Sequence, residues 1–203
     1  MNTEFTDLKF HLEKLVTKIT WLDFHVTTLE TYSQSSFNSE VYILNKFPGL
    51  FNTLAECLMQ RVVIDIFNLL DSGKDSKRGL RKFINKLDLF VGKNPNMLTD
   101  ETNIKSHIVW NMSEFSKMED FLYRLKSQRD KYWAHMDKLY FDEPHKLGAD
   151  YPIPISEIRQ VTNFLMRSVS TFHFQLTNEK LSLEFSEKNE LRKLIDLLEK
   201  TQS

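Results

Sequence analysis

The sequence predicts an all-α fold, an up-and-down bundle of about five to seven helices. Three observations predict it. Glycine and proline are scarce, at five each in 203 residues, so few positions break a helix. Leu, Phe, Lys and Glu are abundant, and sixteen phenylalanines point to an aromatic-rich core. Apolar residues recur at spacings of three and four over long windows, which is the period of one helix face. With 41% apolar and 27% charged residues the chain is an ordinary globular protein, and its length suits one domain over residues 1–203.

The first helix is expected from about Thr6 to Thr31, where Phe5, Leu8, Leu12, Leu15, Ile19, Leu22, Val26 and Leu29 draw an apolar stripe. Lys9, Glu13, Lys14, Lys18 and Asp23 decorate its other faces. His11 and His25 stand fourteen residues apart, too far for one metal ion, and read as surface or boundary residues. A polar connection, Tyr32 to Asn38, leads to a short helix up to Lys46, and Phe47-Pro48-Gly49 breaks the pattern. The helix from about Leu50 to Asp71 is the most apolar and is expected at the centre of the bundle. Arg61 and Asp65 can pair four residues apart on it. Its lone cysteine, Cys57, sits among apolar neighbours and reads as a buried, inert thiol in a reducing cytoplasm.

Asp71 to Asp75 stops that helix, and Asp75 or Ser76 can cap the next, about Lys77 to Phe90. The segment Gly73 to Lys93 carries seven basic residues against two acids. It is either a solvated helix face or a surface for phosphates. Thr99 or Asp100 can cap a helix from about Thr102, with a break near Asn111 to Ser113. A longer helix then runs from Ser113 to about Tyr140. Phe141 to Ile155 is an irregular, proline-rich connection. Ser156 caps a helix from Glu157 to Leu176, and Ser186 to Lys200 forms a last amphipathic helix. Met1 to Glu13 has no continuous apolar run, and charges interrupt Leu50 to Leu70. Neither a targeting leader nor a membrane span is therefore expected, and the cytoplasm is the expected location.

One stretch mixes charge with large aromatics inside a long helix: Arg129-Asp130-Lys131-Tyr132-Trp133-Ala134-His135. Histidine moves protons near neutrality, and arginine holds a phosphate and stabilises charge developing on it. Together they could cleave RNA by activating the ribose 2'-hydroxyl against the adjacent phosphate, without a metal. Eight arginines and six histidines would give about 0.7 pairs at separations of five to seven by chance. The sequence holds two such pairs. The second, Arg167 and His173, lies among Phe164, Leu165, Val169, Phe172 and Phe174 and reads as structural. The first lies in a basic run of Arg124, Lys126, Arg129, Lys131 and Lys138 suited to RNA. Trp133 either stacks a base or packs in the core. Asp130 can orient a cationic neighbour. On an ideal α-helix six residues turn through about 600°, so Arg129 and His135 diverge by about 120°. Two copies of the helix facing each other across a dimer would resolve this.

The stretch resembles the signature of HEPN domains: an arginine, a polar Asn, Asp or His, and a histidine four to six residues after the arginine. The order of elements from about residue 40 to 200 resembles the abortive-infection U-type branch. That order comprises the apolar helix ending at Asp71, a helix with a basic start from Lys77 to Leu89, the motif late in a long helix, and a capped helix over 155–176. The resemblance implies an all-α bundle, usually a homodimer with both motifs near the cleft. It also implies metal-independent endoribonuclease activity in toxin–antitoxin or anti-phage defence, with RNA as substrate and an antitoxin or other defence-system protein as partner. Carried over, Arg129 and His135 are the catalytic pair and Asp130 the supporting residue; from the basic and aromatic character of the run itself, Lys131, Arg124, Lys126 and Trp133 are expected to contact RNA. One subgroup has a modifiable tyrosine two residues after the histidine; this chain has Asp137 there. The alternative is a non-catalytic helical dimer that binds RNA, nucleotide or a partner protein. A plain structural module, with Arg129 paired to Asp120 or Asp130, is a third reading. No HExxH motif, cysteine pair or glycine-rich phosphate loop is present, so neither metal nor cofactor is expected.

Overall fold

The computed structural model describes residues 3–35, 41–71, 78–94, 97–98, 100–134, 138–181 and 190–200, without the side chains of 35, 41–43, 132–134, 141, 144 and 199. Among these residues the fold is all-α, with no strand. The helices are α1 (Thr3–Ser35), α2 (Val41–Lys46), α3 (Pro48–Leu70), α4 (Leu80–Lys93), α5 (Glu101–Lys117) and α6 (Glu119–Gln128). A π-helical segment, Arg129–Ala134, follows α6 directly. Then come α7 (Lys138–Asp142), α8 (Pro144–Asp150), α9 (Ile155–Thr177) and α10 (Glu190–Lys200).

α1 holds the centre. Leu8, Leu12, Leu15, Ile19, Leu22, Val26 and Leu29 are all buried, as their spacing predicts. They meet α9, α3 and α4. Each such side chain contributes about 1.5–3 kcal/mol when buried, so the stripe outweighs any single polar contact.

α3, expected at the centre, is buried mainly in its second half, at Val62, Val63, Ile66, Phe67, Leu69 and Leu70. Its first half turns Leu50 and Leu54 outward, and Cys57 is exposed, not buried. In that half only Phe51 is buried, in a second, smaller cluster with Leu44, Leu191 and Ile195, while Ala55, Leu58 and Met59 are partly buried against the main core. Arg61 and Asp65 pair at 2.6 Å as expected.

The start of α4 touches the end of α3 backbone to backbone. A Cβ on Gly79 would sit 2.8 Å from the Leu69 carbonyl oxygen and 2.9 Å from that of Asn68, so only glycine fits. Gly79 is itself the residue before α4 and offers no side-chain cap. The caps expected at Asp75 or Ser76 lie outside the described residues. Asp100 does cap α5, accepting from the Asn103 amide at 3.3 Å.

α5 does not break near Asn111; it runs to Lys117. Asn111 is fully buried and serves as a knot. Its Nδ2 donates to the His107 carbonyl at 2.8 Å, and Ser168 Oγ lies 2.7 Å from its Oδ1. His107 Nε2 lies 3.3 Å from the Ser168 carbonyl, and its ring stacks on Trp110. The long helix expected over 113–140 is divided by Met118 and by the π-helical segment. The connection expected to be irregular contains α8. α9 begins at Ile155 after Pro154, so Ser156 lies inside the helix and is not its cap.

One polar tie joins α9 to α1. Arg159 donates from Nε and Nη2 to Glu30 at 2.8 and 2.6 Å, from Nη1 to Asp23 at 2.5 Å, and from Nη2 to Thr27 Oγ1 at 3.0 Å. Asp23, read from sequence as an outer-face residue, is buried. Burial alone would lower the Arg159 pKa, but Glu30 and Asp23 outweigh it and hold it above the ordinary value. The other pair, read as structural, makes contacts within the fold: the Arg167 guanidinium carbon lies 4.9 Å from the Trp110 ring centre, and His173 Nδ1 sits 3.1 Å from the Glu179 carbonyl. Their neighbour Phe174 is exposed, against expectation.

Two outcomes follow. Arg159→Met removes the guanidinium that pairs with the buried Asp23 and with Glu30 and should cost about 3 kcal/mol in urea unfolding. Adding Asp23→Leu should recover most of that loss; an Arg159→Met variant as stable as the parent would contradict the tie. Burial also holds the His107 imidazole below the ordinary range, aided by Arg167 and opposed by the Ser168 hydrogen bond. The unfolded chain therefore takes up the proton first as pH falls through about 6.5, so stability is present above that value and lost on acidification. The urea midpoint should fall between about pH 7.5 and about pH 5, and His107→Gln should fall less.

Candidate functional site

The motif sits where α6 gives way to the π-helical segment. Such segments have i→i+5 hydrogen bonds, a wider turn than the α-helix, and recur at functional sites. The 120° divergence expected between Arg129 and His135 assumed an ideal α-helix. That premise does not hold over Arg129–Ala134. His135 itself lies outside the described residues, as do the side chains of Tyr132 and Trp133.

Arg129 is half-buried. Its guanidinium carbon lies 3.8 Å from the centre of the Phe67 ring on α3. Its Nε donates to Asp130 Oδ1 at 2.7 Å, and its Nη2 reaches the same oxygen. Asp130 thus orients the arginine, as the sequence suggests. One face of the guanidinium rests on the ring, a cation–π contact worth about 0.5–2 kcal/mol. The plane of the fork is left to the carboxylate.

The next cation turns the other way. Lys131 Nζ lies 5.1 Å from the ring centres of both Tyr140 on α7 and Tyr151 beyond α8. It hydrogen-bonds the Tyr151 hydroxyl, which raises its own pKa and lowers that of Tyr151. Tyr140 donates to Asp150 at 3.0 Å. The widened turn is therefore held on two sides, by α3 through Arg129 and by α7 and Tyr151 through Lys131.

The other predicted contacts divide. Arg124 is taken up inside the fold. Its Nε pairs with Asp120 at 2.9 Å, its Nη2 with Glu157 at 2.7 Å, and its Nη1 donates to the Pro152 carbonyl. Burial works against its charge, but Glu157 and Asp120 prevail and raise its pKa. Lys126 is exposed and has no ion pair among the described residues. It lines a cavity of about 300 Å³ together with Phe67 and Leu70 of α3 and Asp71. His145, at the start of α8, is exposed.

Sequence reasoning missed four residues here: Phe67, Tyr140, Asp150 and Tyr151. Phe67 and Tyr140 look like ordinary core positions at helical spacing. Asp150 and Tyr151 lie in a connection that folds back on α6, where Gln128 Nε2 donates to the Tyr151 carbonyl at 2.6 Å. The one available signal was Tyr151-Pro152 just before a helix, which marks a rigid turn but not its target. Among the described residues no three of His, Cys, Asp and Glu converge as a metal site, and no helix is long and apolar enough to cross a membrane.

No curated protein and no solved structure matches the chain. The HEPN family described as AbiU2 matches residues 5–197, from the first apolar residue of α1 into α10. That span includes the motif and every helix that holds it. With this match and an all-α fold around the Arg129-Asp130 pair, the chain belongs to the AbiU2 family of HEPN proteins, related to abortive infection.

Proposed function

We propose that the protein is a metal-independent endoribonuclease that acts as a toxin or anti-phage protein in the cytoplasm. One observation carries the reading: the family's motif begins a π-helical turn in which the arginine is pre-oriented by Phe67 and Asp130. A pre-oriented guanidinium costs little reorganisation when charge develops on a phosphate. In the reaction the RNA 2'-oxygen attacks the adjacent phosphorus. A proton leaves the 2'-hydroxyl, the bond to the 5'-oxygen breaks, and that oxygen gains a proton. The products are a 2',3'-cyclic phosphate and a free 5'-hydroxyl. His135 serves as general base or acid, and Arg129 stabilises the phosphorane charge. Lys126 and Lys131 contact the RNA backbone, and Trp133 stacks a base. The working form is a homodimer with the two motif helices near the interface. Its second histidine can supply the other proton step. An antitoxin or other defence-system protein restrains it.

A second reading is a non-catalytic HEPN dimer that binds RNA, nucleotide or a partner protein. The observation in its favour is that Arg124, Arg129 and Lys131 all have partners within the chain.

Purified protein should cleave RNA in EDTA and leave cyclic phosphate ends. His135→Ala should slow cleavage by about 10²-fold or more, as expected for a lost acid or base. Arg129→Ala should slow it by about 10²-fold through lost charge stabilisation. Full cutting by both variants would sink the assignment; RNA binding without cleavage of any RNA would leave the non-catalytic reading.

A further inference from the structure

The basic excess of Gly73 to Lys93 plays no part in the motif. Residues from it form one wall of a cleft of about 540 Å³ between α1 and α4. Arg78 and Lys86 stand on that wall, and Lys14 and Lys18 of α1 face them across the cleft. All four are exposed, and none has an ion pair among the described residues. Among the described residues Asp7 is the carboxylate in this lining, and Glu4 lines the adjoining hollow. His11 of α1 also lines the cleft, between the two walls. Phe10 lies in the same lining and is 59% exposed. Lys14 Nζ lies 5.1 Å from that ring centre.

Two features set this apart from a solvated helix face. Phe10, Lys14 and Lys18 follow one another at i, i+4 and i+8, so a ring and two cations form a single line along α1. Like charges at i, i+4 repel unless an anion offsets them. The hollow is also concave and of a size that encloses a small ligand, and a cleft lined by one sign of charge concentrates its counter-ion. A smaller hollow of about 250 Å³ shares Asp7 and Lys86 and extends the channel toward Lys93.

We propose that the α1–α4 cleft binds a phosphate-bearing ligand with an aromatic base. Lys14, Lys18, Arg78 and Lys86 hold its phosphates, and the Phe10 ring stacks its base. The chemistry is that of a nucleotide, free or within an RNA strand. The cleft is separate from the Arg129 motif, so its occupancy does not depend on whether the motif cleaves.

Calorimetry with ATP and with inorganic tripolyphosphate, and fluorescence anisotropy with a short end-labelled single-stranded RNA, test this on the full chain. ATP should bind, and more weakly as salt rises from about 50 to about 200 mM. The double variant Lys18→Glu with Arg78→Glu should weaken binding at least about tenfold while circular dichroism stays unchanged, since both residues are exposed. Phe10→Ala should weaken ATP about tenfold and leave tripolyphosphate unaffected. If the RNA binds, ATP does not, and the charge variant loses the RNA, the ligand is the strand and the site stands. Equal binding by parent and charge variant, or no binding of any of the three probes at low salt, would overturn the proposal. ATP binding that is indifferent to Phe10→Ala would overturn the stacking half of it.

Discussion

The constraint on which everything else depends is the burial of one stripe along α1. Seven aliphatic residues, from Leu8 to Leu29, serve as a common wall for α3, α4 and α9. Burial of this kind is strong but non-directional, and it leaves the rotation and register of neighbouring helices loosely set. Arg159 supplies direction. Its fork reaches Asp23, Thr27 and Glu30, two turns of α1 from a single residue of α9. The Asn111–Ser168–His107 knot does the same between α5 and α9. At the end of α3 the register is fixed by contact alone, because Gly79 admits no side chain against the Leu69 and Asn68 carbonyls.

That packing matters to the site through α3. Its second half is pressed against α1, which fixes where Phe67 stands, and Phe67 is the surface under Arg129. The motif arginine is thus located by the scaffold and not only by its own helix. Lys131 and Arg124 add two further ties, to Tyr140 and Tyr151 and to Glu157 and the Pro152 carbonyl. A π-helical turn is a less favourable backbone than the α-helix around it, and it persists where its surroundings over-determine it. Ties on both sides of Arg129–Ala134 meet that condition. They also draw a distinction within the basic run. Arg124 is spent on holding the segment after α8 against α6, whereas Lys126 remains exposed.

Much of the fold was legible in the sequence, because the helical period is a local property. The stripe of α1, the pair Arg61–Asp65, the Asp100 cap and the all-α class all follow from spacing and residue type. What was not legible depends on the partner across the fold. Asp23 sits in the sequence like any surface acid, and only a guanidinium from α9 buries it. Asn111 looks like a helix breaker and proves to be a buried bridge. Cys57 has apolar neighbours in sequence but lies on the face of α3 that nothing covers among the described residues. The candidate site divides in the same way. Arg129 and Asp130 were legible because the motif is local. The π-helical turn was not, since its six residues contain no glycine or proline to announce it. Phe67 and Tyr151 join the site only through tertiary contact.

The bundle thus positions the motif arginine through Phe67. A double-mutant cycle on unfolding free energy tests it, with Phe67→Leu, Arg129→Met and the pair together. A coupling of about 1 kcal/mol is expected, the scale of a half-buried cation–π contact. Additivity to within about 0.3 kcal/mol would mean that the two side chains do not act on each other, and would contradict it.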